Sequence, residues 1–90
     1  MFKLIFTESY FKKEKTFLRK HDELTDKYKN ILKLLELNPK HPSLKLHKLQ
    51  GKFQDNYAVS LTYSYRILLS FAVVENKIIL IDIGSHGDVY

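Results

Sequence analysis

Four residues in the second half of this 90-residue chain have the chemistry to act on a phosphodiester. Arg66 carries a fixed, positively charged fork that suits a phosphate, and His86 carries the side chain whose proton moves near neutral pH. Tyr90 follows His86 by four residues, and His47 lies where the predicted sheet begins. Cleavage of RNA without a metal needs a base for the 2′-hydroxyl proton, an acid for the leaving 5′-oxygen and a cation beside the phosphorus. These side chains can supply such groups.

The same residues also have plain structural interpretations. An isolated histidine such as His86 is more often structural or simply exposed than catalytic, and Tyr90 can serve only as an anchor for the C-terminus. Arg66 can form a surface ion pair with Asp82 or Asp88, which stabilises a protein by roughly 0–1 kcal/mol. Both interpretations of Arg66 stay open on the sequence alone.

Several common kinds of site are missing from the sequence. It has no cysteine, no glycine-rich phosphate loop, no His-x-x-x-His pair and no nucleophile elbow. The spacing of the four histidines, at positions 21, 41, 47 and 86, fits no metal-ligand template. We therefore expect neither a metal nor a cofactor.

The charge of the chain is unevenly distributed. Of the 15 lysines and arginines, 12 lie in residues 1–50 together with 6 of the 10 acids, and the net charge of the whole chain is +5. A basic first half indicates a polyanionic or acidic partner, although a solvated helix surface explains it equally well. No segment resembles a signal peptide or a membrane span. These features predict a cytoplasmic protein with no membrane partner.

Strands are predicted in the second half, where large apolar residues alternate with small or polar ones from residue 57 to residue 73. The odd-numbered residues are predicted to face the core, and these include the tyrosines at 57, 63 and 65. Ile79, Ile81 and Ile83 continue this parity in a third strand, so Ile78 and Leu80 are predicted to face away from the core.

The predicted register of these strands follows from the parity. Residues that pair across antiparallel strands share a face, so both hairpin loops should have an odd number of residues. The first loop is placed at residues 62–64. A five-residue loop around the same position would satisfy the parity equally well. The second is placed at residues 75–77, with its second or third residue left-handed. This register sets Arg66 opposite His86.

The first half of the chain predicts a strand and two helices. Residues 2–6 form a short apolar strand, after which Thr7 or Ser9 can cap a helix that ends near Lys20. Asp22 is predicted to cap a second helix, whose apolar residues recur at i, i+4, i+7 and i+11.

These elements predict one α+β domain over residues 1–90, since a chain of this length buries only roughly 60–65% of its surface and supports one core. An N-terminal strand precedes an antiparallel two-helix hairpin, which packs on one face of a twisted, mainly antiparallel sheet of four or five strands. The other face is predicted to be open, with Arg66 and His86 projecting from it.

Three segments carry a family resemblance. Residues 46–51 read Leu-His-Lys-Leu-Gln-Gly, residues 65–71 read Tyr-Arg-Ile-Leu-Leu-Ser-Phe, and residues 81–90 read Ile-Asp-Ile-Gly-Ser-His-Gly-Asp-Val-Tyr. In this order and spacing they resemble the RelE/ParE superfamily of toxins from bacterial toxin–antitoxin operons. The tail is most similar to the YafQ-type branch, whereas the arginine of the central strand is more like the RelE and YoeB branches.

The resemblance implies a toxin that enters the ribosomal A site and cuts mRNA there, leaving a 2′,3′-cyclic phosphate. It implies that His86 acts as acid or base with the ring of Tyr90 close behind it, that Arg66 contacts the scissile phosphate, and that His47 is a further active-site histidine. In this interpretation the lysines at positions 12, 13, 45, 48 and 52 bind phosphates of the messenger or the ribosome.

The resemblance also implies a set of partners, which are a cognate antitoxin, the ribosome and mRNA, with operator DNA bound only through the antitoxin complex. Two alternatives stay open. One is a ParE-like poison of DNA gyrase that cuts no RNA, and the other is a catalytically silent relative that only binds the antitoxin and DNA.

Overall fold

The protein is built from one sheet and a pair of helices. The structure, a computed structural model, describes residues 1–51 and 55–85. Within these residues the elements follow in the order β1 (Lys3–Phe6), α1 (Glu8–Lys20), α2 (Thr25–Leu37), β2 (His47–Lys48), β3 (Tyr57–Ser60), β4 (Tyr65–Ala72) and β5 (Lys77–Ser85). The strand order is β1-β5-β4-β3-β2, with β1 parallel to β5 and all other neighbours antiparallel. The predicted α+β fold is confirmed.

Side-chain capping explains where α1 begins. Thr7 is the N-cap, because its hydroxyl accepts a hydrogen bond from the backbone N–H of Tyr10. The same hydroxyl donates to the carbonyl of Leu80 at 3.1 Å, which ties the start of the helix to β5. The prediction that Asp22 caps the second helix is wrong. Asp22 opens a one-turn 3₁₀-helix instead, which brings Leu24 against the core before α2 begins.

The main core lies between the two helices and one face of the sheet. In β3 and β4 the odd-numbered residues face it, as the alternation predicts. Its buried members are Tyr10, Phe17, Tyr28, Ile31, Leu35, Leu44, Val59, Leu61, Ile67, Leu69, Ile78, Leu80 and Ile83.

The register between β3 and β4 agrees with the sequence-based prediction. Ser60 pairs with Arg66, so the two strands are joined by the loop at residues 62–64. The backbone N–H of Leu61 donates to the carbonyl of Tyr65 at 2.9 Å and closes this loop.

The loop between β4 and β5 is longer than predicted. Ala72 pairs with Lys77, which leaves four residues between the strands. Val73–Glu75 form a 3₁₀ turn, and Asn76 takes the left-handed conformation with φ of 56°, as Asn tolerates best. Because four is an even number, the odd-numbered residues of β4 meet even-numbered residues of β5.

A β-bulge in β5 reverses that parity again. Leu69 pairs with Leu80 but Leu68 pairs with Asp82, so Ile81 is an extra residue without a cross-strand partner of its own. From the bulge to the end of β5, odd-numbered residues of both strands pair with each other. The predicted pairing of Arg66 with His86 is therefore wrong, because Arg66 pairs with Gly84.

The four-residue loop and the bulge together change the predicted faces of β5. Ile78 and Leu80, predicted to face outward, are fully buried in the main core, and Ile83 lies there as predicted. Ile81, predicted to face inward, packs against a second buried cluster on the opposite face, formed by Leu49, Ala58 and Leu68. That face is thus covered at this cluster, and the prediction of a wholly open face is wrong.

A buried hydrogen-bond chain connects the two helices. The hydroxyl of Tyr10 donates to that of Tyr28 at 2.8 Å, and the hydroxyl of Tyr28 donates to the carboxylate of Glu14. Burial raises the pKa of both tyrosines above the ordinary value of 10.0, so both hydroxyls keep their protons and can donate. This chain fixes the contact between α1 and α2 with polar groups inside the core.

We expect Tyr28→Phe to destabilise the protein by about 1–3 kcal/mol, because the buried hydroxyl of Tyr10 and the carboxylate of Glu14 both lose their partner. Urea denaturation measures this change. Tyr63→Phe, which removes a hydroxyl from a fully exposed ring, is the matched control and should stay within about 0.5 kcal/mol of the parent. Equal midpoints for the two variants would contradict a stabilising role for the chain.

In the described part of the molecule, no helix is long and apolar enough to cross a membrane.

Candidate functional site

Arg66 lies on β4, the middle strand of the sheet, with small residues on both sides. It pairs with Ser60 of β3 and Gly84 of β5, and it points away from the core because its neighbour Ile67 is fully buried in it. The Nε atom of Arg66 is buried, yet it makes no hydrogen bond to any described residue. Buried polar atoms are rarely left without a partner, so this unsatisfied donor marks Arg66 as a candidate functional residue.

The carboxylate that the sequence offers as a partner for Arg66 is bound elsewhere. Asp82 forms an ion pair with Lys13 of α1 at 3.0 Å and pairs through its backbone with Leu68, not with Arg66. Of the two ion pairs considered for Arg66, the one with Asp82 is therefore excluded, and Asp88 lies outside the described residues.

A cavity of about 490 Å³ opens beside Arg66, at the end of the sheet where α2 meets the β3–β4 hairpin. Two further cations line it, Lys27 from α2 and Lys45 from the turn before β2, and neither they nor Arg66 form an ion pair with a described residue. No carboxylate is among the described residues that line it. The remaining lining residues are Ile31, Ser43, Ser60, Leu61, Thr62 and Tyr63. Three cations beside four hydroxyl groups suit an anion, and we refer to this space as the Arg66 cavity.

His47 shares a face of the sheet with Arg66. It pairs with Ala58, which lies two residues before Ser60 on β3, so its Cα is on the order of 12 Å from that of Arg66. Its Nδ1 lies 3.0 Å from the carbonyl oxygen of Lys45. A carbonyl only accepts, so Nδ1 carries the hydrogen, and in the neutral ring the lone pair is on Nε2. This is the tautomer that a base acting through Nε2 requires.

The predicted phosphate-binding lysines do not form one surface. Lys45 lines the Arg66 cavity, whereas Lys48 is exposed on the edge strand β2. Lys12 and Lys13 lie on α1, on the face of the sheet opposite to Arg66. Lys52 lies outside the described residues, as do His86 and Tyr90.

A second cavity, of about 550 Å³, lies between α1 and the end of β5. Lys12, Lys13 and Lys20 line it, together with a group of rings in which Phe17, His21 and Tyr65 have centroids 4.6–5.1 Å apart. It also contains Asp82, and it is on the helix side of the sheet. Although it is the larger cavity, its charge is partly neutralised by the Lys13–Asp82 pair, so the Arg66 cavity fits an anion better.

Sequence reasoning did not place Lys27 or Tyr63 in the Arg66 cavity. Lys27 reaches it from α2, and no periodicity in the sequence indicates which loop that helix approaches. Tyr63, predicted to be buried by its odd number, is 98% exposed at the tip of the β3–β4 hairpin. The alternation stops at the loop, where a residue's parity no longer fixes its face.

Within residues 1–51 and 55–85, no group of three or more His, Cys, Asp or Glu is placed to hold a metal ion. Among the described residues, the oxygen-bearing side chains that line the Arg66 cavity are hydroxyl groups, which are weak metal ligands compared with carboxylates and imidazoles.

Comparison with known proteins identifies the fold. No protein-family model matches the chain, and no curated protein matches it either. Solved structures match over 93–100% of the chain, and they show that the protein shares the fold of YafQ, of a YoeB/ParE toxin and of a Helicobacter pylori toxin.

Three of these structures illustrate the similarity. A metal-bound toxin from Helicobacter pylori is 23% identical, with 100% of both chains covered and a TM-score of 0.79. YafQ in the DinJ–YafQ toxin–antitoxin complex of E. coli is 18% identical, with 99% of this chain and 97% of that chain covered and a TM-score of 0.79. A YoeB/ParE toxin from Agrobacterium tumefaciens is 19% identical over 93% of this chain and 98% of that chain, with a TM-score of 0.74. At these identities the shared property is the fold, so activity has to be argued from the residues.

Proposed function

We propose that the protein is the toxin of a toxin–antitoxin system, a single domain over residues 1–90 that cuts mRNA on the ribosome without a metal. The observation that carries the proposal is the buried Nε of Arg66, which has no described partner and adjoins a cavity with two more cations and no described carboxylate. The fold of YafQ and of the YoeB/ParE toxin supports the same class.

The reaction is a transesterification at one phosphodiester. A base removes the proton from the 2′-hydroxyl, the 2′-oxygen forms a bond to phosphorus, and the bond from phosphorus to the 5′-oxygen breaks. An acid protonates that 5′-oxygen, so the products are a 2′,3′-cyclic phosphate and a free 5′-hydroxyl. No electron acceptor or further reactant is required.

Each step has a proposed residue. The guanidinium of Arg66 binds the non-bridging oxygens and stabilises the charge that gathers on them in the transition state. His47, with its lone pair on Nε2, is the base, and His86 is the acid that protonates the leaving oxygen. The ring of Tyr90 positions the RNA beside His86.

The remaining lysines serve the macromolecular partners. Lys27 and Lys45 bind messenger phosphates next to the cleaved bond, because they line the same cavity as Arg66. The lysines of α1, Lys12 and Lys13, lie on the other side of the sheet and contact phosphates of the ribosome. Lys48 and Lys52 extend the messenger contact.

The proposed protein partner is an antitoxin. YafQ, which has the same fold, is bound to DinJ in a toxin–antitoxin complex. An acidic segment of the antitoxin neutralises the cations around Arg66 and blocks the messenger, and operator DNA is reached only through that complex.

Induction in a bacterial host tests the proposed function. We expect growth arrest, relieved by co-expression of the antitoxin, and primer extension on mRNA from the arrested cells should reveal discrete cleavage ends. Arrest with intact mRNA and stalled gyrase would contradict the nuclease and support a ParE-like poison. Normal growth with a stable antitoxin complex would identify a catalytically silent relative.

We expect RNA binding to weaken as salt rises, because each lysine that contacts a phosphate releases a counterion. Removing one contact with Lys27→Ala or Lys45→Ala should lower the slope of log K against log [salt] by about 0.7–1. Fluorescence anisotropy with a labelled single-stranded RNA measures the slope. Lys33→Ala, at an exposed α2 position outside the cavity, should leave it unchanged. Equal slopes for all three variants would exclude Lys27 and Lys45 as phosphate contacts.

A further inference from the structure

Tyr63 is a large ring on the surface with no structural role in the described part of the chain. It is 98% exposed, whereas the neighbouring odd-numbered residue Leu61 is buried in the core. No ring contact or hydrogen bond of its side chain to a described residue accounts for its position. Exposing an aromatic ring forgoes the free energy that its burial would provide. A ring placed in this way is suited to contact a ligand.

The hairpin tip holds this ring in a defined place. The hydroxyl of Thr62 accepts hydrogen bonds from the backbone N–H groups of Ser64 and Tyr65, each at 3.2 Å. The N–H groups of Leu61 and Thr62 both donate to the carbonyl of Tyr65. These bonds span both sides of Tyr63, so the backbone that presents the ring is ordered before any ligand arrives, and binding orders little more than the ring itself.

Tyr63 also borders the cations that bind phosphate. It lines the Arg66 cavity together with Lys27 and Lys45. Arg66 lies three positions after Tyr63 in the sequence, so their Cα atoms are at most about 11 Å apart. Both side chains are long enough to reach the same nucleotide step, one at the base and the other at the phosphate.

We propose that Tyr63 stacks on a base of single-stranded RNA next to the phosphodiester held by Arg66, and that this contact gives the site a preference for a purine there. Stacking on an aromatic side chain accepts every base but is strongest for the larger ring systems. The proposal rests on the function proposed above, to which it adds a residue that determines specificity.

A binding experiment tests the stacking directly and does not depend on cleavage. The chain contains no tryptophan, so Tyr63→Trp places a single indole at the hairpin tip. We expect a short adenine-containing single-stranded RNA to quench its fluorescence to saturation, with weaker quenching by a uracil-containing RNA. An abasic ribose-phosphate oligomer of the same length should leave the emission nearly unchanged. Equal quenching by the abasic oligomer, or none by RNA, would overturn the proposal.

Cleavage kinetics on programmed ribosomes supply the second test. Tyr63→Ala should raise KM about 10-fold and leave kcat within about 2-fold of the parent value. The reason is that the tyrosine ring stacks equally well on the base in the ground state and in the transition state. Tyr63→Phe should restore the KM, and the advantage of a purine should vanish only in Tyr63→Ala. The control is Val74→Ala, which truncates a fully exposed side chain on the other hairpin.

The two tests separate the two proposals. If the parent protein cuts no RNA but the indole of Tyr63→Trp is still quenched by RNA and not by the abasic oligomer, the nuclease is wrong and the stacking site stands. If RNA is cleaved while Tyr63→Ala keeps both the parent KM and its purine preference, the nuclease stands and the role of Tyr63 is refuted.

Discussion

Arg66→Ala should lower kcat for mRNA cleavage on programmed ribosomes by about 10²–10³-fold, the usual loss when a preorganised donor to a developing anion is removed. Arg66→Lys keeps the charge but not the fork, so we expect an intermediate rate. In a bacterial host, Arg66→Ala should no longer arrest growth. Single-turnover assays measure the rate of the chemical step directly.

The loss should be catalytic and not structural. The Nε of Arg66 makes no hydrogen bond to a described residue, so Arg66→Ala removes no observed native interaction of that atom and should leave the melting temperature near that of the parent. The matched control is Arg19→Ala, which removes the other arginine of the chain from an exposed position on α1. Equal cleavage rates for Arg66→Ala and Arg19→Ala would refute the role given to Arg66.

Leu80→Ala should destabilise the protein by about 2–5 kcal/mol, because it leaves a cavity where a fully buried side chain packs between α1 and the sheet. Urea denaturation at constant m-value measures the difference in the free energy of unfolding. Ile79→Ala should cost less, since Ile79 is only partly buried. Val74→Ala should stay within about 0.5 kcal/mol of the parent, since Val74 is fully exposed.

This comparison distinguishes the observed faces of β5 from those predicted by simple alternation. Alternation places Ile79 in the core and Leu80 outside it, which is the reverse of the observed packing. A larger loss for Ile79→Ala than for Leu80→Ala would therefore contradict the four-residue loop and the pairing of Leu69 with Leu80.

The sequence predicts most of the fold because local patterns set it. The cap at Thr7 fixes the start of α1, and the alternation of β3 and β4 fixes their core face and their register. The second half of the sheet could not be predicted in the same way. An even loop and an extra residue each change the parity once, and the apolar run Ile78 to Ile83 offers a large side chain for either face.

The sequence predicts those residues of the candidate site whose position follows from the alternation or pairing of a strand. Arg66 lies on the face opposite to the core because its neighbours in β4 are apolar, and His47 joins that face through the pairing of β2 with β3. Lys27 was not predictable, because its place in the cavity depends on how α2 packs against the hairpin. The sequence also could not show that Asp82 is not the partner of Arg66. Asp82 forms its ion pair with Lys13 of α1, and that contact depends on how α1 packs against β5.

The extra residue at Ile81 makes the end of β5 depend on a local distortion of the strand. If Ile81 paired regularly with Leu68, Ile83 would lie beside Arg66 and Gly84 would turn toward the helices. Deleting Ile81 would instead remove the bulge and keep Gly84 opposite Arg66, because Asp82 would then follow Leu80 directly and still pair with Leu68. When homologous sequences are aligned, a gap at Ile81 should thus occur without a compensating change in the length of the loop at residues 73–76.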